Sequence, residues 1–284
     1  MKPPKALRVF LFLLIAAALV AGCTKGSARP SPESSSQQKE GVYSLEKLEE
    51  DVNKLIKAFE KDYMTEKASQ SAGQEQGQQQ QKQGGGSEGE DKKKEEGTQD
   101  SQGERAQQGG NQGPDWAKYE EMVFLIHDKW NDFREQALQE GAPMDEIMAF
   151  NEKLNEVTTT LTRQDLFGGL LTANELYLRT VAFERIFGMG SAASAKRTMY
   201  YLRDAAYRAL NGQRDEALKS AEKAREEWEV GKGLLRDEVM ANRVEFSLLE
   251  LREAVEIEDP NLIKIKYQIA EKNIEEAEKK MEKK

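Results

Sequence analysis

From Asp115 onward, apolar side chains recur every three or four positions and almost nowhere every two. That spacing places them on one face of an α-helix and leaves no room for half-buried strands. The chain can therefore bury a core only by packing helix on helix. Pro114-Asp115 opens a first helix whose inward stripe is Trp116, Tyr119, Val123, Ile126, Trp130, Phe133 and Ala137, with Gly141 at its end. Pro143, Asp145 and Glu146 form the next first turn, followed by Ile147, Phe150, Leu154, Val157 and Leu161. A third helix carries Leu166, Leu170, Ala173, Tyr177 and Val181 and ends at Gly188. In its first turns Gly168-Gly169 predict the close approach of a neighbouring helix. Ser191 opens a fourth with Met199, Leu202, Ala206 and Ala209 inward, turned by Asn211-Gly212. A fifth runs from about Arg214 to Val230, with Ala217, Ala221, Ala224 and Trp228 inward. The sixth holds Val244, Leu248, Leu251 and Val255 and stops at Asp259-Pro260, and the last holds Ile263, Tyr267, Ala270, Ile274, Ala277 and Met281. About seven helices joined by short turns imply an all-α fold, an antiparallel helical bundle or a stack of helical hairpins, over residues 115–284.

The chain before residue 115 divides by composition. Residues 68–114 are Gln, Gly, Ser, Glu and Lys with no apolar side chain larger than alanine, so they cannot offset their ordering entropy and are expected to form a disordered linker. As a flexible coil such a segment reaches roughly 35 to 40 Å. Its charge block Asp91–Glu96 compensates itself and reads as solvated linker. Before it, Leu45, Leu48, Val52, Leu55 and Phe59 form one stripe, which predicts an amphipathic helix over residues 44–67 capped by Ser44. A lone helix of that length is marginal in water. It either folds onto the main domain, pairs with another chain in self-association, or stays loosely ordered until a partner arrives. Residues 23–43 read as a membrane-proximal spacer.

The first residues carry an address. Lys2, Lys5 and Arg8 precede an apolar run from Val9 to Val20, the layout of a secretory signal peptide over residues 1–22. Val20-Ala21-Gly22-Cys23 resembles the lipobox of bacterial lipoprotein precursors. The resemblance implies cleavage between Gly22 and Cys23, acylation of the Cys23 thiol, and a mature protein held by lipid on the extracytoplasmic face of the cell membrane. In a cell with an outer membrane, Thr24 after the cysteine permits onward sorting by the same resemblance.

Composition narrows the chemistry. The chain has a net charge of −9, one Cys and one His, and removing the basic signal takes the balance to about −12. An acidic exported chain is a poor partner for nucleic acid or an anionic membrane surface. Once Cys23 is acylated no thiol remains for a disulfide, metal or nucleophilic role. A single histidine rules out a His-pair metal site, and no cofactor or metal is expected. Gly188-Met189-Gly190-Ser191-Ala192-Ala193 fits a loose dinucleotide fingerprint but follows a helix instead of a strand. No GxSxG elbow, P-loop, HExxH or EF-hand loop occurs, and an enzyme is not expected.

Gly212-Gln213-Arg214-Asp215-Glu216-Ala217-Leu218, with Ala221 and Ala224, resembles the turn and second helix of one tetratricopeptide repeat. No second copy stands at the required period, and Asp204 and Arg208 replace the family's aromatic pattern. Polar residues near the inward stripes are His127 and Trp130 on the first helix, Asn174 on the third and Arg203 on the fourth. Projecting inward, they would need partners, and with Tyr177, Tyr200 and Tyr201 nearby they are candidates for a ligand pocket. Two functions fit these residues. One is a tethered protein-interaction or scaffold module bound to an unidentified protein partner. The other is a solute- or metal-binding lipoprotein with its pocket inside the bundle.

Overall fold

The computed structural model describes residues 32–80, 113–190 and 192–282, with the side chains of the first helix described from Lys39 to Ala68. Gly22 and Cys23, the signal peptide over residues 1–22, the linker residues 81–112 and the helix-opening Ser191 lie outside the described residues. Among the described residues there are eight α-helices and no strand: α1 Pro32–Gln80, α2 Trp116–Gln139, α3 Met144–Thr162, α4 Leu166–Glu184, α5 Ala193–Leu210, α6 Arg214–Gly231, α7 Glu238–Ile257 and α8 Pro260–Glu282. A short 3-10 turn, Lys232–Leu234, links α6 to α7. The chain divides into two units, residues 1–37 and 38–284, and the second holds α1 from Gln38 onward together with α2 to α8.

Local chemistry starts and stops these helices where the sequence places the signals. Asp115, Asp165 and Asp237 accept from the backbone N–H of Lys118, Gly168 and Met240 as N-caps. Gly141, Gly188 and Gly212 turn the chain with φ of 88°, 74° and 75°, the left-handed region that glycine enters without a side-chain clash. The expected stripes of α2 to α8 point inward except that Trp116 and Ala209 are only half-buried, with Tyr119, Phe133, Phe150, Tyr177, Trp228 and Tyr267 among the largest fully buried side chains. Trp130 stacks on Phe150 with ring centroids 4.0 Å apart, and Phe133 meets Phe183 edge to face at 5.3 Å. Consecutive helices pair as α3/α4, α5/α6 and α7/α8, and α5 also packs on α4 and α8. Ala217, Ala221 and Ala224 let α6 nest on α5, the feature behind the tetratricopeptide-like stretch.

The expectation that fails concerns α1. The helix extends beyond 44–67 at both ends, so Ser44 lies inside it and caps nothing, and residues 32–43 and 68–80 are helical where spacer and linker are expected. Nor is the helical domain confined to 115–284, because α1 is part of its core. Leu45, Leu48, Val52, Leu55, Ile56 and Phe59 are all completely buried. Burying six such side chains is worth roughly 1.5 to 3 kcal/mol each before entropy is counted, which a lone amphipathic helix cannot gain. Packing also carries the helix through Gly41, whose position leaves no room for a Cβ beside Phe187. Past Lys67 the helix continues to Gln80 through a Gln-rich stretch that also holds Ser69, Ser71, Gly73 and Gly77. Of the fates open to this stripe, packing on its own domain is the one observed, and the stripe is spent there.

Contacts along α1 fix its direction in the bundle. Glu49 meets Lys196, Asn53 meets Arg203 and Glu60 meets Tyr207, so α1 runs parallel to α5. Asp51 pairs with Lys129, Phe59 with Tyr119, Lys57 with Glu271, and Tyr63 stacks with Phe167, so it runs antiparallel to α2, α8 and α4. Of the Gly168-Gly169 pair, Gly169 serves the close approach expected, since a Cβ there would lie 3.1 Å from the Phe59 ring, whereas one on Gly168 would meet the N-cap carboxylate of Asp165 in its own helix.

Candidate functional site

Two buried polar clusters flank the middle of α1. In the first, Arg203 on α5 donates from Nε to Glu271 at 3.2 Å and from Nη1 to Asn53 at 2.9 Å, with its guanidinium 5.2 Å from the Tyr177 ring centroid. Tyr267 directs its hydroxyl between Glu271 at 2.9 Å and Glu60 at 3.1 Å, and Tyr207 reaches Glu60 at 3.2 Å. Lys57 pairs with both carboxylates. Burial pushes the Glu271 carboxyl up, yet Arg203 and Lys57 outweigh it and hold the group below its ordinary range. Glu60 is raised, first by burial and then by the charge of Glu271. Two cations against two carboxylates balance, and this cluster fastens α1 to α5 and α8.

The second cluster does not balance. Lys196 on α5 is 3% exposed. Its ammonium pairs with Glu49 on α1 at 2.9 Å and with Glu184 on α4, and lies 3.7 Å from Glu278 and 3.9 Å from Glu282 on α8. Burial alone would lower the Lys196 pKa, but the carboxylates around it raise it, so the lysine stays charged. Burial raises Glu184 and Glu278 to about 7, against the opposing pull of Lys196, and mutual repulsion adds to the rise. One cation thus serves four carboxylates, and near neutral pH the cluster is poised to hold extra protons.

A cleft of about 790 Å³ lies over both clusters, bounded by α1, α2, α4, α5 and α8. Tyr177, Met199, Arg203 and Met122 are among the residues lining it, with the cations Lys54, Lys57, Lys118 and Lys279. Glu50, Glu275, Glu278 and Glu282 supply its acids. On α1 the lining runs from Glu50 to Ala58, two helical turns or about 12 Å. Its volume lies within the range of small-molecule sites. A second groove of about 630 Å³ between α2 and α3 has Leu138, Met144, Ile147 and Met148 in its lining.

The sequence-selected residues do not converge. Arg203 lines the cleft with Tyr177, while Trp130 lies in the aromatic layer with Phe133, Phe150 and Phe183, its Nε1 lacking a hydrogen-bond partner among the described residues. Asn174 is fully buried and donates from Nδ2 to the Tyr200 carbonyl at 2.9 Å, tying α4 to α5. His127 is part-exposed, with Nε2 2.9 Å from Thr158 Oγ1, and burial lowers its pKa. Pocket formation around Trp130, Asn174 and Arg203 together is therefore replaced by three separate roles. Lys196, Glu49, Glu184, Glu271 and Glu278 are the polar core residues the sequence reasoning missed. The available signal was on α5, where Lys196, Arg203 and Tyr207 follow one another at seven and four residues beside the apolar stripe.

Among the described residues no group of three or more His, Cys, Asp or Glu is arranged to hold a metal ion, and no helix is long and apolar enough to cross a membrane. No family model, no curated protein and no solved structure matches the chain.

Proposed function

We propose that the protein is a lipid-anchored extracytoplasmic lipoprotein that binds a small ligand in the cleft beside α1. The observation that carries this function is that five helices converge on one cleft lined by Arg203 and Tyr177. Long-range tethering, which favoured a scaffold module, loses its main support, because α1 from Gln38 onward shares one unit and one core with α2 to α8. Only residues 24–31 separate Cys23 from the first turn of α1, and fully extended they span at most roughly 30 Å.

Protein docking is a second function, favoured by a specific surface: Met144 and Met148 stand 58% and 65% exposed beside Leu138 on the α2/α3 groove. Adaptable methionines suit a partner's apolar side chain.

Native mass spectrometry of the protein extracted from its own envelope tests the ligand function. A stoichiometric small-molecule adduct that disappears in Arg203→Gln supports it. A bare mass from a gently extracted, folded protein, with a protein partner in its place, would transfer the function to docking. Metabolic labelling with palmitate tests the anchor: Cys23→Ala should carry no label.

A further inference from the structure

The cleft and the Lys196 cluster share a wall. Glu278 and Glu282 face the cleft on one side and the buried ammonium on the other. Glu278 is thus surrounded on every side by charge. Glu49 of α1, Glu184 and Tyr177 of α4, Lys196 of α5 and Glu282 of its own helix act on it from within. Across the cleft stand Lys54 and Lys57 with Glu50 on α1, Lys118 on α2, Arg203 on α5, and Glu275 and Lys279 on α8.

These cations are not equally committed. Lys54 pairs with Glu50 and Asp51, Lys57 with Glu60 and Glu271, and Arg203 with Glu271. Lys118 and Lys279 make no ion pair among the described residues. Below them the cleft offers Met122, Met199 and the Tyr177 ring. Uncommitted ammonium groups at exposed positions, with buried apolar lining beside the Arg203 guanidinium, match a ligand with an anionic head and an apolar tail.

We propose that the cleft takes such an anionic amphiphile together with a proton, which Glu278 accepts as the ligand's negative charge arrives. The proposal rests on the ligand-binding function above and adds its chemical class and pH dependence. With Glu278 ionised the cleft lining carries five cations and four acids; with it protonated an acid is removed at no cost in cations. Its pKa already stands at about 7, so ligand charge nearby need raise it only modestly to draw a proton from neutral solution. Ligand binding and proton uptake then favour each other reciprocally.

The test is isothermal titration calorimetry of the full mature chain with decanoate, decylamine and decanol, at about pH 6 and about pH 8 and in two buffers of different ionisation enthalpy. Decanoate is expected to bind about five- to tenfold more tightly at the lower pH, with proton uptake of a fraction of one per site. Glu278→Gln should remove most of that difference between the two pH values. Lys118→Ala with Lys279→Ala, both at exposed positions, should weaken decanoate about tenfold and leave decanol unmoved. Decanoate binding that is independent of pH, or stronger at the higher pH, overturns the proton coupling. Equal or tighter binding of decylamine or decanol overturns the anionic class while leaving the cleft a ligand site. Absence of binding by all three overturns both.

Discussion

Lys196 on α5 donates to Glu49 on α1 at 2.9 Å, joining residues 147 positions apart in the chain. Around that bond gather three further carboxylates, Glu184, Glu278 and Glu282, so four helices meet on one buried ammonium. Removing one partner from such a cluster costs far more than the pair is worth, because the charges left behind stay buried. Lys196→Met should lower stability by about 3 to 5 kcal/mol near pH 7.5. Chemical denaturation should show a smaller loss near pH 5, where the stranded carboxylates take up protons.

Stability of the unmodified protein should itself rise on mild acidification. Glu184 and Glu278 hold their protons to about pH 7 in the fold, against an ordinary carboxyl value of 4.5. A raised carboxyl pKa favours the fold at low pH. The contribution is complete below about 4.5, is lost progressively between 4.5 and about 7, and is absent above. His127, lowered by burial from 6.5, acts in the opposite sense as pH falls. Glu50, held at about 2 by Lys47 and Lys54, changes only at more acidic values. Thermal melts should therefore give a higher Tm at about pH 5 than at about pH 7.5, and the difference should shrink in Glu184→Gln with Glu278→Gln.

Gly169 should tolerate no side chain much larger than a methyl group. A Cβ there meets Phe59 at 3.1 Å and Thr160 at 3.3 Å, so Gly169→Leu must push α1 away from α4. Overpacking of this kind costs about 1 to 3 kcal/mol. Denaturant midpoints should fall accordingly, and Phe59→Ala in the same chain should restore part of the loss.

Trp130 separates packing from ligand chemistry. Its ring is buried against Phe133, Phe150 and Phe183, while its Nε1 finds no partner among the described residues. Trp130→Phe, which discards that donor and keeps most of the apolar contact, should change stability by less than about 1.5 kcal/mol. Trp130→Ala should cost about 3 to 5 kcal/mol. Neither should alter decanoate affinity in the folded protein, since Trp130 does not line the cleft.

The stripes of α2 to α8 were legible because each is local: Tyr119, Val123, Ile126, Trp130 and Phe133 announce their shared face through spacing alone. The Gly169 contact was legible too, since missing side chains in a helix announce a close neighbour, while its companion Gly168 makes room for the Asp165 cap instead. The place of α1 was not. Its stripe demands an apolar surface, but Leu45 and Phe59 say nothing about whose surface that is. The extension past Ser44 depends on Gly41 meeting Phe187, a contact far apart in sequence. The Lys196 cluster was hidden for the same reason. Glu49, Glu184, Glu278 and Glu282 each resemble an ordinary solvated helix charge, and only the bundle brings them to one lysine. Arg203 was found because it stands beside an inward leucine, and its partner Glu271 was missed because α8 carries many acids.

Everything proposed for the cleft depends on α1 being part of the core, and thermal unfolding by far-UV circular dichroism compares that directly between residues 38–284 and residues 113–284. With α1 present, a single cooperative transition is expected. Without it, Phe59, Val52 and Leu55 leave a bare apolar channel and Lys196, Arg203 and Glu271 lose partners. The shorter chain should then melt at least about 15 °C lower or without cooperativity. A cooperative transition within a few degrees of the longer chain would contradict the central place assigned to α1.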